Sequence, residues 1–209
     1  MASYGQIATE RVASIKELQE VIKKPDVVEA DLQRLIASAP WLIRPDWSVI
    51  TQNQSLKVFR DQFAAYWKQR FDEDIEIAIS YEKKRPDFTL VHHGRQLHIV
   101  EIKSPGHTFG GTDYARMQNY VTAFDEFFAN NQGTVMAFPD GWQIDLISDS
   151  LHLTDQTQKY AFDGFVREGK VVRHPWNDFL AAAVVAHEAF LDAYDQAHAE
   201  AEAEEAAKG

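Results

Sequence analysis

Residues 85–104 read RPDFTLVHHGRQLHIVEIKS, and this stretch decides the fold. Two runs rich in apolar and β-branched residues, Phe88 to Val91 and Leu97 to Ile102, are joined by five residues that include a glycine. This pattern is typical of two antiparallel strands that form a hairpin. Because a hairpin brings the chain back to its starting edge, we expect Asp87 to lie beside the end of the second strand.

The second run ends in Glu101-Ile102-Lys103. Side chains alternate along a strand, so Glu101 and Lys103 should share one face at a spacing of about 6.6 Å. The apolar residues before Glu101 draw its carboxylate toward a buried sheet, where an unpaired charge is costly. Two neighbouring carboxylates repel unless a cation lies between them, and an adjacent lysine can hold a water on that cation. An all-oxygen ligand set favours Mg²⁺ or Mn²⁺ over zinc.

Each half of this pattern also has an ordinary explanation. Glu-x-Lys on a half-exposed strand is usually a surface ion pair, and Pro-Asp is usually part of a turn. Only the combination of Pro-Asp and Glu-x-Lys favours a catalytic site. Past the strand, His107 is either a phosphate contact or an exposed loop histidine. His92, His93 and His98 surround the hairpin and make a weak zinc candidate, because the spacing offers no evident further ligand.

Helical and strand patterns extend outward from the hairpin. Apolar spacing predicts α-helices over residues 6–23, 27–38, 56–71, 112–130 and 154–168 and from Asn177 onward, with Thr154 as a cap. Alternating or short apolar runs predict further strands over residues 75–81, 134–138, 142–147 and 170–173. The fold class is therefore α/β, with a mixed (α+β) sheet that contains an antiparallel meander and has helices at both ends.

The amino-acid composition excludes several classes of protein and of functional site. The chain has 209 residues, 45% of them hydrophobic, and it contains no cysteine. Disulfide scaffolds, thiolate zinc sites and cysteine nucleophiles are therefore excluded. The longest apolar runs fall far short of the ~20 residues that span a bilayer, and no signal peptide is evident. We expect a cytoplasmic protein with no membrane partner.

The net charge of −11 opposes binding to a polyanion. The charge is uneven, however, because residues 181–209 carry −6 of it. Residues 51–70 carry +3 and residues 81–119 carry +2. Any site for a phosphate backbone is therefore expected in these two segments.

Pro86-Asp87 followed by Glu101-Ile102-Lys103, between strands and with a helix on either side, resembles the PD-(D/E)xK nuclease superfamily over roughly residues 26–150. The resemblance implies a restriction-endonuclease-like core. It further implies that Asp87, Glu101 and the backbone carbonyl of Ile102 ligate the metal, and that Lys103 positions the attacking water. Glu29, on a preceding helix, matches an acid that completes the metal site through water in many members.

The helix after the strands carries a glutamine that faces the site in many members, and Gln118 is the residue carried over to that role. Here Gln118 stands only two positions before Tyr120, which is not carried over. More narrowly, Asp31-Leu32-Gln33 and Pro40-Trp41-Leu42-Ile43, together with the hairpin motif, are similar to the Shedu-type antiphage nuclease domain.

These observations give one organisation and two functional hypotheses. Residues 1–25 are expected to form an N-terminal helix or interdomain linker, 26–150 the nuclease-like core, and 151–209 a helical extension with an acidic Ala/Glu tail. The first hypothesis is a metal-dependent endonuclease that cuts DNA in phage defence or DNA processing, as a homo-oligomer or with a domain fused upstream. The second is an inactive module with the same fold that binds nucleic acid or protein.

Overall fold

The computed structural model of this protein describes residues 4–24, 26–43, 47–72, 74, 76–92, 95–131, 133–188 and 192. This part of the chain is a mixed α/β protein. It forms two compact units, one within residues 1–45 and 176–209 and the other within residues 46–175. The division of the chain at residues 25 and 150 stays a prediction.

Helices and strands alternate along most of the chain. The α-helices are α1 (Tyr4–Val21), α2 (Glu29–Ser38), α3 (Leu56–Phe71), α4 (Gly111–Asn130), α5 (Thr134–Ala137), α6 (Gln156–Arg167) and α7 (Trp176–Ala186), and a 3-10 turn spans Pro40–Leu42. The strands are β1 (Trp47–Gln52), β2 (Phe88–His92), β3 (Gln96–Ile102), β4 (Thr108–Phe109), β5 (Trp142–Ile147), β6 (Ser150–Leu151) and β7 (Val171–His174).

Five strands form one mixed sheet in the order β1-β2-β3-β5-β7. β1, β2 and β3 are antiparallel, as the hairpin motif predicts, whereas β5 runs parallel to β3 and β7 runs parallel to β5. The parallel connections pass through helices α4 and α6, because a chain that returns in the same direction needs a crossover. β4 and β6 form a separate parallel pair.

One face of the sheet holds the main hydrophobic core. Alternate residues of β3 and β5 pack there with the apolar sides of α3 and α4. The core is rich in aromatic rings, and Phe59, Phe63, Phe124 and Phe127 meet at centroid distances of 5.2 to 6.4 Å. This packing holds α4 against the sheet.

The predicted strand over residues 75–81 is wrong for the described residues 76–81, which form no strand. The side-chain amide of Asn131 takes the place of a neighbouring strand. Its Oδ1 accepts a 3.0 Å hydrogen bond from the Ala78 backbone N–H, and its Nδ2 donates a 3.0 Å bond to the Ala78 carbonyl. Ile77 and Ile79 are still buried, so the alternating sequence pattern reflects alternating burial, although the backbone here is not paired with another strand.

The predicted strand over residues 134–138 is also wrong, because Thr134–Ala137 is the short helix α5. The Thr134 backbone N–H and hydroxyl both donate to the Asn131 carbonyl, at 3.1 and 2.7 Å, which turns the chain locally. The meander's third strand is instead β1, which sequence analysis missed. At the start of α6 the cap is Asp155 rather than Thr154, since Asp155 accepts from the Gln158 N–H.

The remaining predictions of secondary structure agree with the structure to within a few residues. Helix α7 includes Asn177, although the predicted continuation past residue 192 lies outside the described residues. Among the described residues, none of the helices combines the length and apolar character that crossing a membrane requires.

Candidate active site

The antiparallel pairing of β2 and β3 brings Asp87 to Glu101. Phe88 pairs with Val100, so the next position along the hairpin sets Asp87 opposite Glu101. The Ile102 backbone N–H donates a 2.6 Å hydrogen bond to Asp87 Oδ2, which fixes the aspartate against the end of β3. Both carboxylates are buried. Two acidic groups therefore share one buried end of the hairpin.

Lys103 directly follows strand β3 and contacts Glu101. Its Nζ lies 3.0 Å from Glu101 Oε1, and both side chains are only 3% exposed. The Lys103 backbone N–H donates to the Ile147 carbonyl at 2.9 Å, which continues the pairing with β5 by one residue. The lysine is thus held in a fixed position by the sheet.

Helix α4 adds a third carboxylate, Asp113, that sequence analysis missed. Asp113 Oδ1 lies 3.6 Å from Lys103 Nζ, so the lysine stands between two carboxylates. Asp113 Oδ2 accepts from the Gly110 N–H at 3.1 Å and lies 2.8 Å from His107 Nε2. Burial raises the pKa of Asp113, but the hydrogen bonds from His107 and Gly110 and the charge of Lys103 together hold it below its usual value.

The same helix also supplies a second cation, Arg116. Its Nη1 donates to Glu101 Oε1 at 3.1 Å. Asp113 and Arg116 are three residues apart and therefore lie on one face of α4, near its start. This spacing was the available signal in the sequence, but only the docking of the helix shows that the face meets β3. We call Asp87, Glu101, Lys103, Asp113 and Arg116 the acidic cluster.

Gln118 does not join the acidic cluster. It is exposed, and none of the hydrogen bonds found within the described part of the chain joins it to the carboxylates. Gln118 is two positions after Arg116, which corresponds to a rotation of about 200° around the helix, so the two side chains point to different sides. Tyr120 is fully buried and donates to the Arg85 carbonyl at 2.8 Å.

Glu29 is the first residue of α2, in the other compact unit. Its Oε1 accepts a 3.1 Å hydrogen bond from Gln33 Nε2, one helical turn further on. A carboxylate in the first turn also favours the positive end of the helix dipole. Its role as a water-mediated metal ligand stays a prediction.

The donor atoms of the acidic cluster suit a hard cation. Across the residues that the structure describes, no three histidine, aspartate or glutamate side chains are grouped so that they could hold a metal by themselves. A metal here would use Asp87, Glu101, the Ile102 carbonyl and water. Mg²⁺ usually binds through one or two carboxylates and keeps several waters, so these residues fit the ion that the sequence predicts.

A second buried cluster lies on the opposite face of the sheet. His98 and Glu101 are three residues apart on β3, so their side chains face opposite sides. Asp145, on β5, lies 2.6 Å from His98 Nδ1 and 2.8 Å from His174 Nε2, and it accepts from Gln143 at 3.0 Å. Burial raises the pKa of Asp145, but the bonds from His174 and His98 outweigh burial and lower it. We call His98, Asp145 and His174 the histidine cluster.

The zinc candidate formed by His92, His93 and His98 stays a prediction. Of its three histidines, only His98 has a described side chain, and its Nδ1 lies 2.6 Å from Asp145 Oδ2 on β5. The other two members of the zinc candidate fall outside what the structure describes: His93 entirely, and His92 in its side chain.

The positive charges expected to attract a polyanion are mostly paired with acids. On α3, Lys57 and Arg60 both contact Asp61, and Arg60 also contacts Glu82. Lys68 contacts Asp74 at 2.6 Å. The described cations of α3 therefore offer little net charge to a phosphate backbone.

Comparisons with known proteins add no assignment: no protein-family model matches the chain, and no curated protein matches its sequence.

Proposed function

We propose that this protein is a divalent-metal-dependent endonuclease of the PD-(D/E)xK type, with a restriction-endonuclease-like core, that hydrolyses DNA phosphodiester bonds. One observation carries the proposal: Asp87, Glu101 and Lys103 converge at the buried end of a hairpin, within hydrogen-bond distance of each other or of the intervening backbone. Burying three charged groups together is expensive, and a buried cluster of ionisable groups is a candidate functional site.

The proposed roles follow from the chemistry of each group. Asp87, Glu101 and the Ile102 carbonyl would hold Mg²⁺ or Mn²⁺, since all three supply oxygen ligands. The bound ion would lower the pKa of a water and offset the charge that develops on the phosphate. Lys103, fixed between Glu101 and Asp113, orients the attacking water and adds positive charge where the transition state is most negative.

The proposed biological setting is phage defence or DNA processing, by resemblance to the Shedu-type nuclease domain. DNA is the proposed partner. A second copy of the chain would supply a second active site, which many nucleases of this type use to cut both strands. A domain fused upstream is the alternative partner.

The direct test is cleavage of supercoiled plasmid DNA in Mg²⁺ or Mn²⁺. Asp87→Ala, Glu101→Ala and Lys103→Ala should each lower the rate by about a hundredfold or more, since each removes a charged group at the reacting centre. Asp140→Ala is the matched control, because it removes an exposed carboxylate that is paired with Arg95. Circular dichroism checks that each variant is folded. Plasmid left intact by the wild-type protein in both metals would contradict the proposal.

A non-cutting interaction module is the second candidate, and specific observations favour it. Lys103 and Arg116 already neutralise Glu101, and the described basic side chains of α3 are paired with acids. The net charge of −11 also repels nucleic acid. Calorimetric titration with MnCl₂ separates the two candidates, since only the nuclease requires Mn²⁺ binding that Asp87→Ala and Glu101→Ala abolish.

A further inference from the structure

Arg116 links a buried carboxylate to the protein surface. Its Nη1 lies 3.1 Å from Glu101 Oε1, yet its side chain is 44% exposed, whereas that of Glu101 is 3% exposed. The Arg116 side chain therefore extends from a buried carboxylate to solvent. A group in this position can be reached by a ligand that approaches from solvent.

Lys103 contacts the same oxygen but in a different setting. Its Nζ is 3.0 Å from Glu101 Oε1 and 3.6 Å from Asp113 Oδ1, and its side chain is 3% exposed. Lys103 is buried, and the two neighbouring carboxylates compensate its charge. Of these two cations, Arg116 is the one that solvent reaches.

The charges of the acidic cluster leave room for a further cation. Asp87, Glu101 and Asp113 contribute three carboxylates, while Lys103 and Arg116 contribute two positive charges. A divalent ion on Glu101 would compete with Arg116, because both compensate the negative charge of this carboxylate. Two cations within a few ångströms of each other also repel strongly at a partly buried site.

A guanidinium that leaves Glu101 is suited to bind phosphate. Arginine presents its N–H donors in a planar fork that matches two oxygens of a phosphate group. Its position on α4, in the turn after Asp113, keeps it next to the carboxylates where the scissile phosphate would lie.

We propose that Arg116 is an exchangeable counter-ion, which neutralises Glu101 while no divalent ion is bound and turns to a phosphate oxygen of nucleic acid once the ion binds. This inference rests on the proposed nuclease function and gives it a regulatory feature. Metal binding and nucleic-acid binding are then positively coupled, and the coupling is reciprocal.

The first experiment measures Mn²⁺ affinity by calorimetry for wild type, Arg116→Ala and Arg116→Met, the latter keeping the aliphatic stem. Both Arg116 variants should bind Mn²⁺ about five- to tenfold more tightly than wild type, because the competing cation is gone. Arg95→Ala is the matched control. It also removes an arginine that pairs with a carboxylate, Asp140, but at the other end of β3. It should leave Mn²⁺ affinity close to wild type, since distant surface charges are screened.

The second experiment measures the coupling with a fluorescein-labelled DNA oligonucleotide. It uses Lys103→Met, which the proposed mechanism expects to bind metal without cutting. Mn²⁺ should tighten DNA binding in Lys103→Met, as followed by fluorescence anisotropy, and the tightening should be reduced by about fivefold or more in the double variant with Arg116→Ala.

The outcomes separate the inference from the proposed function. If wild type binds Mn²⁺ through Glu101 and both Arg116 variants bind it equally or more weakly, the counter-ion role is overturned and the metal site stands. If wild type binds no Mn²⁺, or Glu101→Ala binds it as well as wild type, both the metal site and the inference are overturned.

Discussion

The acidic cluster and the histidine cluster differ in how they balance buried charge, although strand β3 contributes to both. In the acidic cluster, three carboxylates meet two cations, and one of these cations, Arg116, is 44% exposed. In the histidine cluster, a single carboxylate, Asp145, is surrounded by donors from His98, His174 and Gln143. The acidic cluster therefore has an excess of negative charge, whereas the histidine cluster has more hydrogen-bond donors than carboxylates.

This difference indicates what each cluster does. A buried carboxylate surrounded by donors is stabilised in place and gains nothing from a further cation, which is the expected behaviour of a group that supports the fold. An excess of buried negative charge is costly unless a cation relieves it. The acidic cluster is therefore the better candidate for chemistry, and the histidine cluster the better candidate for stability.

The largest effect should come from Glu101→Gln, which removes a charge from the acidic cluster and keeps the side-chain volume. Cleavage of plasmid DNA should fall by about a hundredfold or more. The free energy of unfolding should change by less than about 1 kcal/mol, because the lost ion pairs are offset by relief of repulsion from Asp87 and Asp113. Nicking assays and urea unfolding measure the two quantities. A stability loss as large as that of a disrupted core would identify Glu101 as a mainly structural residue.

The opposite pattern is expected for Asp145→Asn in the histidine cluster. Removing this buried carboxylate should cost about 3 kcal/mol of unfolding free energy, since both histidines lose their charged partner. The cleavage rate per folded molecule should stay near that of wild type. Asp140→Asn, which alters an exposed ion pair, is the control and should cost less than about 1 kcal/mol. Equal costs for the two variants would mean that the histidine cluster contributes no special stability.

The pH dependence of stability should follow from the same pairing. The pKa of Asp145 is lower in the folded protein than its usual value, so the unfolded chain binds more protons in acid. Its stabilising contribution is therefore complete above about pH 4 and is lost as the pH falls through the folded-state pKa. Urea unfolding as a function of pH should show a steeper acid decline for wild type than for Asp145→Asn. Asp113→Asn and Asp61→Asn correct for the two other described carboxyls whose pKa is lowered.

The smallest effect is expected for His107→Ala, at the rim of the acidic cluster. The His107 side chain is 41% exposed and contacts Asp113, which also accepts from the Gly110 N–H and lies near Lys103. Because these two partners remain, cleavage should fall by less than about tenfold. A loss comparable to that of Glu101→Gln would instead make His107 a direct participant in the reaction.

Local pattern was sufficient to predict most of the fold near the hairpin. The apolar, β-branched runs that predict β2 and β3 reflect strands buried in a sheet, and the 3.6-residue spacing that predicts α3 and α4 reflects one apolar side. Each of these patterns is formed by residues that are close together in the sequence. The pattern over residues 76–81 is equally clear, yet the backbone of Ala78 pairs with the Asn131 side chain, which is distant in sequence.

The candidate site was predictable to the same extent. Asp87, Glu101 and Lys103 belong to one hairpin, so strand geometry alone predicts that they meet. Asp113 and Arg116 could not be assigned, because their approach to β3 depends on how α4 packs against the sheet. Gln118, carried over by resemblance, is on another side of that helix.

The sequence by itself determined the α/β class, the hairpin and the shared face of Glu101 and Lys103, since each depends on the fixed periodicity of a strand or helix. Only the tertiary structure decided which cations and carboxylates surround that face, and that His98 pairs with Asp145 on the other side of the sheet. The physical reason is that charge compensation in a protein interior depends on distances between elements, and no local spacing encodes those distances.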